Sequence, residues 1–161
     1  MHAGVLTSTG PEIDAPSLLP QSYIIDSPAP VSTTFSNIYT PTGRNQIVHS
    51  LAGWVDKSLL PSAWKDAAIG HLGPITDQID PALVSAFGEN TLVGITPQGW
   101  MRDWDNSAGN VYPIRMKDPA ALLPHADVVV IGEEDLLDYD QLTDMRDMSK
   151  LLVMTLSLIH I

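Results

Sequence analysis

Two segments hold residue types that could do chemistry. The first is Thr96-Pro97-Gln98-Gly99-Trp100-Met101-Arg102, and the second is Gly132-Glu133-Glu134-Asp135. Each follows an apolar run that reads as a buried strand, 91–96 and 127–131. Open parallel sheets gather ligands at the carboxyl ends of their strands. Carboxylates in that position can hold a hydrated Mg²⁺ beside phosphates. The plainer reading of Glu133, Glu134 and Asp135 is a first helical turn complementing the helix dipole. For Gln98 and Arg102 the plainer reading is loop hydrogen bonding. Both alternatives stay open on residue type alone.

Other chemistries lack their motifs. No G-x-x-x-x-G-K-[ST] loop, G-x-G-x-x-G fingerprint or G-x-S-x-G elbow occurs. The five histidines, His2, His49, His71, His125 and His160, share no metal-ligand spacing. Gly70-His71-Leu72-Gly73 ends a strand candidate, but a tight turn explains both glycines. The absence of cysteine excludes disulfides, thiolate zinc sites and thiol nucleophiles.

The elements that must position these segments alternate between strand and helix. Apolar runs at 5–8, 67–72, 91–96, 127–131 and 151–156 read as strands, and 23–26 as another. The β-branched run 127–131 is the pattern of a strand buried on both faces. Asp80-Pro81 and Asp118-Pro119 each place a cap before a first-turn proline. The first opens a helix burying Leu83, Val84 and Phe87 and ending at Gly88; the second runs through Leu123. Residues 59–67 hold a short helical turn with Trp64, 97–104 a loop, and 106–110 a turn. Residues 133–148 read as one helix with Leu136, Tyr139, Leu142 and Met145 on one side.

Residues 33–40 and 45–51 differ in character. They are strand-like without a cleanly apolar face, and Pro41-Thr42-Gly43 turns between them. Phe35, Asn37 and Tyr39 share one side of the first strand. Such a hairpin suits a flap, an edge ribbon or an interface. The predicted class is therefore α/β: a partial doubly wound, mostly parallel sheet with an inserted hairpin.

The chain has 161 residues, 44% of them hydrophobic, enough for one domain with a core. A net charge of −11 disfavours nucleic acid and anionic membrane surfaces as partners. No basic and apolar leader opens the sequence, and no apolar run reaches the roughly 20 residues of a membrane span. These features point to the cytoplasm. The last strand candidate is followed only by Ser157-Leu158-Ile159-His160-Ile161. A parallel sheet needs helices over both faces, so the chain reads as an excerpt of a larger α/β protein.

The order of elements from Val5 to Leu156 resembles the ribokinase-like carbohydrate kinases of the phosphofructokinase-B family. The hairpin, 31–52 with its flanks, resembles the β-lid that closes over the sugar. AAIGHLGP at 67–74 resembles the strand and loop after the lid. GITPQGWMR at 94–102 resembles the segment that carries D-x-N-x-R, with Thr96 and Gln98 in place of its Asp and Asn. DVVVIGEEDL at 127–136 resembles the strand leading into N-x-x-E, with Gly132 and Asp135 in place of its Asn and Glu. The resemblance implies an incomplete ribokinase-like domain over 1–156. It implies transfer of the γ-phosphoryl group of ATP, with Mg²⁺, to a hydroxymethyl group of a sugar or nucleoside.

It further implies substrate contacts from Phe35, Asn37, Tyr39, Gln98 and Arg102, a Mg²⁺ bias from Glu134 and Asp135, and pairing of lids in a homodimer. The family's early Gly-Gly motif would precede Val5. Its D-T-x-G-A-G-D segment would follow Leu156, which places the catalytic Asp beyond Ile161 and predicts an inactive excerpt. Residues 157–161 resemble a translated sequencing-adapter tail and are read apart from the domain. The alternative is a non-catalytic α/β binding or oligomerisation module.

Overall fold

The computed structural model describes residues 3–41 and 43–156. The tail at 157–161 and Thr42 of the hairpin turn lie outside the described residues. Four strands form a parallel sheet: β5 (Ile69–Leu72), β6 (Leu92–Ile95), β9 (Val128–Gly132) and β10 (Leu152–Thr155), in spatial order β10-β9-β6-β5. Earlier in the chain, β1 (Ala3–Thr7) and β2 (Ser22–Asp26) pair in parallel, flanking the short helix α1 (Ala15–Leu18). The hairpin is β3 (Thr34–Thr40) against β4 (Gly43–Ser50), antiparallel. The parallel sheet and the inserted hairpin are the α/β architecture read from the sequence, with strand ends shifted by a residue or two.

Side chains alternate across the four-stranded sheet. Leu72, Val93, Ile95, Val129 and Ile131 are buried on one face. That face is closed by Leu83 and Val84 of a 3-10 turn at Pro81–Ser85, by Leu122 and Leu123, and by Met145. Leu122 belongs to α2 (Pro119–Leu122) and Met145 to α3 (Tyr139–Met148). The opposite face is only partly covered: Ile69, Leu92 and Val153 are exposed, and Val128 and Val130 are half-buried. The expectation that 127–131 is buried on both faces is corrected here. The described elements bury one face fully and leave the other partly exposed.

Other expectations change for local reasons. Residues 133–148 are not one helix. A 3-10 turn at Glu133–Asp135 ends at extended Leu136, and α3 begins only after Asp138. The Asp138 carboxylate accepts the Gln141 N–H at 2.8 Å, an N-cap that starts a new helix there. Tyr139, placed on the apolar side by the single-helix reading, is exposed and donates its hydroxyl to Glu133 at 2.6 Å. Glu133 holds the Tyr139 pKa above its ordinary value. The helix after Asp80 is a 3-10 turn, capped as expected by Asp80, which accepts from the Ala82 N–H at 2.9 Å.

Asp118 forms no such cap. Its φ of 49° lies outside the extended region of an N-cap, and its side chain makes no capping bond. Residues 97–104 are not simply a loop. They form a 3-10 turn, Pro97–Trp100, and then β7 (Arg102–Trp104), which pairs antiparallel with β8 (Val111–Pro113). Among the described residues no helix is long and apolar enough to cross a membrane.

Asp127 ties three strands at their amino ends. Its carboxylate accepts the Val93 N–H at 2.8 Å and the Lys150 ammonium at 2.9 Å. Those bonds, the backbone one first, hold its pKa below the usual carboxylate range. A carboxylate depressed in the folded state stabilises above its unfolded pKa, about 3.9. That contribution is lost as pH falls through the folded value. The melting temperature should therefore drop on acidification more steeply in the wild type than in Asp127→Asn. Parallel acid limbs in the two proteins, followed by thermal melts from about pH 6 downward, would remove Asp127 from this role.

Candidate functional site

A cavity of about 430 Å³ opens at the carboxyl ends of β6 and β9. Its roof is the β3–β4 hairpin, through Tyr39, Arg44 and Gln46. One wall is the second hairpin, through Met101, Arg102, Val111, Tyr112 and Pro113. The floor is Glu134 and Asp135, in the turn that follows β9.

An ion pair at the centre joins wall to floor. Arg102 Nη2 donates to Asp135 Oδ1 at 2.9 Å, and both side chains are at most 10% exposed. The same oxygen accepts Gln98 Nε2 at 2.8 Å. Burial lowers the Arg102 pKa, and Asp135 opposes that shift by bonding and by charge. The segment after β6 is seated by backbone. Gly99 N–H donates to Pro74 O at 2.7 Å, and a Cβ at position 99 would come within 2.5 Å of Thr76 O. Only glycine permits that approach, which carries Gln98 and Arg102 to the floor.

The roof is pinned at its base. Gln78 accepts from Thr33 Oγ1 at 2.9 Å and donates to Ala52 O, while Thr33 Oγ1 also accepts the Ala52 N–H at 2.9 Å. Near the hairpin tip, Arg44 stands 3.6 Å from Glu134. Position 132 has no side chain, and a Cβ there would meet Asp135 Oδ2 at 3.0 Å and Glu134 Oε2 at 3.2 Å. One oxygen of each carboxylate therefore faces the same small space. Among the described residues no group of three or more metal-ligating side chains is assembled.

Of the residues singled out in the sequence, Tyr39, Arg102, Glu134 and Asp135 line the cavity. Gln98 stands behind it, bonded to Asp135. Asn37 accepts Gln46 Nε2 at 2.7 Å and so buttresses a lining residue. Phe35 is half-buried nearer the base of the hairpin, outside the lining.

Arg44, Gln46 and Tyr112 were not anticipated. The first two carry a signal: hairpin register opposes Tyr39 with Arg44 and Asn37 with Gln46. Extending the pairing outward from Pro41-Thr42-Gly43 places both on the face already identified.

No family model matches the sequence, and no curated protein matches it. Solved structures do match in three dimensions. A pyrophosphate-dependent kinase in the ribokinase family, in its sulfate complex, superposes with a TM-score of 0.77 at 16% identity over 96% of this chain. Such a kinase complexed with a pyrophosphate analog and myo-inositol gives 0.75 at 16% identity, again over 96% of this chain. The fold is ribokinase-like. Ribokinase from Giardia lamblia also matches, with a TM-score of 0.58 at 13% identity over 96% of this chain. This ribokinase-like chain spans 59% and 58% of the two pyrophosphate-dependent kinase chains and 53% of the Giardia one. The roof is the hairpin whose sequence resembles a β-lid, and the floor is the turn after β9.

Proposed function

We propose that this chain supplies the acceptor-binding part of a cytoplasmic kinase that phosphorylates a small polyhydroxylated molecule, a sugar or a nucleoside, at a hydroxymethyl group. The observation that carries this is the lining of the cavity. Two guanidinium groups and an amide donate, two carboxylates accept, and Tyr39 and Tyr112 supply aromatic surface. Alternating donors and acceptors suit hydroxyl groups, each of which both donates and accepts. The volume falls in the range of small-molecule sites.

The donor in this reading is ATP with Mg²⁺. Glu134 and Asp135 would hold the ion, one oxygen of each facing the space over Gly132. Mg²⁺ commonly takes one or two carboxylates and completes its shell with water and phosphates. The bound ion would neutralise charge on the transferring phosphoryl group. The chain by itself binds without turning over. Both cavity carboxylates are already paired with guanidinium groups, Asp135 with Arg102 at 2.9 Å and Glu134 with Arg44 at 3.6 Å.

A second donor, pyrophosphate, is favoured by one observation. The pyrophosphate-dependent kinases superpose at 0.77 and 0.75, against 0.58 for the Giardia ribokinase. The same comparison adds the cyclic polyol myo-inositol, present in one of those structures, to the acceptors to be tried; it has no hydroxymethyl group, so a ring hydroxyl would take the phosphate there.

Calorimetric titration with myo-inositol, ribose and adenosine tests the reading. Saturable binding of at least one is expected, weakened about tenfold in Tyr39→Ala, as loss of a stacked aromatic contact would give. No binding, or affinity unaltered by Tyr39→Ala, sinks it. Transfer of phosphate from ATP or pyrophosphate by this chain alone would overturn the claim that it only binds.

A further inference from the structure

The second hairpin reaches beyond the cavity. One end places Arg102 and Tyr112 in the wall. The other end, the turn at residues 105–110, lies against the lid. Gly109 O accepts the N–H of Val48, in β4, at 2.9 Å, and Ile47 bridges to Asn110. Val48 is 9% exposed, so this bond is shielded from water.

The turn is built to present that carbonyl. Asp105 Oδ1 accepts the N–H groups of Ala108 and Ser107 at 2.5 and 3.1 Å, and Oδ2 accepts Asn110 Nδ2 at 2.9 Å. These bonds, led by the Ala108 N–H, hold the Asp105 pKa far below the usual carboxylate range. Gly109 adopts φ +70°, a conformation that costs glycine nothing. A Cβ there would stand 2.3 Å from Val48 O. Conformation and contact both demand glycine.

We propose that the 105–110 turn is the fastening that holds the lid over the cavity, with Gly109 as its positioning residue. The alternative fastening at the lid tip is weaker. Arg44 and Glu134 are 3.6 Å apart with side chains 29% and 49% exposed, and such pairs contribute little. The Gln78 bonds pin only the base, at Thr33 and Ala52. Between base and tip, the backbone clasp at Val48 sets how far the lid stands from the floor. Its effect on ligand rests on the acceptor-site reading above; the clasp itself does not.

The test follows amide hydrogen exchange and myo-inositol affinity in Gly109→Ala, Asp105→Ala and Asp105→Asn, at a temperature where each is folded. The first two should exchange the Val48 amide about tenfold faster, as loss of one hydrogen bond of ordinary strength gives. Their affinity should fall in step. Asp105→Asn keeps an acceptor for the Ala108 and Ser107 N–H groups but turns a donor toward Asn110, so it should fall between wild type and Asp105→Ala in both readouts. A merely structural role would lower the melting temperature without moving the affinity of the folded protein, and that result overturns the proposal. So does unchanged Val48 exchange in both Gly109→Ala and Asp105→Ala. If the wild type binds no polyol, the acceptor-site reading fails, and lid-wide exchange then decides the clasp: faster in these two variants supports it, unchanged refutes it.

Discussion

Asp135→Ala should destabilise the chain by about 3–5 kcal/mol, the range for stranding one member of a buried ion pair. Arg102 and Asp135 are 7% and 10% exposed, so the guanidinium left behind has little water to turn to. The same substitution orphans Gln98 Nε2, which shares the lost oxygen. Asp135→Asn keeps an acceptor and removes only the charge, so it should fall between wild type and alanine. The double variant Arg102→Met/Asp135→Leu should recover most of the loss, because a buried pair is worth little against well-packed apolar side chains. Urea denaturation of the four proteins reads all of this. An alanine variant within about 1 kcal/mol of wild type would mean that water already solvates the pair.

Trp100→Ala should cost a similar amount, about 3–5 kcal/mol, the range for removing a large buried aromatic side chain. Trp100 is 3% exposed, and its indole N–H donates to Ile79 O at 3.2 Å. It sits between Gln98 and Arg102 and walls a second cavity of about 460 Å³ on the far side. Its loss should therefore loosen the segment that presents both site residues. Trp100→Phe separates the contributions, since it keeps most of the volume and loses only the hydrogen bond, about 1 kcal/mol. If the alanine and phenylalanine variants melt together in urea, the packing argument is wrong and the bond to Ile79 is the whole effect.

The legible parts of the molecule were those written in short-range pattern. The strands at 92–95 and 128–132 announce themselves as β-branched and apolar runs, and the hairpin by its turn between strand-like residues. The break at Asp138 was hidden because the apolar spacing of Leu136, Tyr139, Leu142 and Met145 runs through it. A strong cap outweighed that periodicity. The second hairpin was hidden because each arm is three residues long and one ends in Pro113, too short for an alternating signal.

The site is harder to read than the fold. Arg102 and Asp135 are 33 residues apart and meet because β6 and β9 are neighbours, a fact of strand order that no local pattern records. The same holds for the clasp between Gly109 and Val48, which depends on where one hairpin lands on another.

The strand order β5, β6, β9, β10 runs across the sheet in the same direction as the chain. Each strand is added at the outer edge left by the one before, and none must be threaded between two already placed. A polypeptide emerging amino end first can then lay down its sheet in the order of its synthesis, every arrival meeting a finished template. The floor of the cavity, carried by the turn after β9, closes against Arg102 only when the third of these strands docks. Assembly of the cavity thereby waits on the docking of β9 and precedes that of β10.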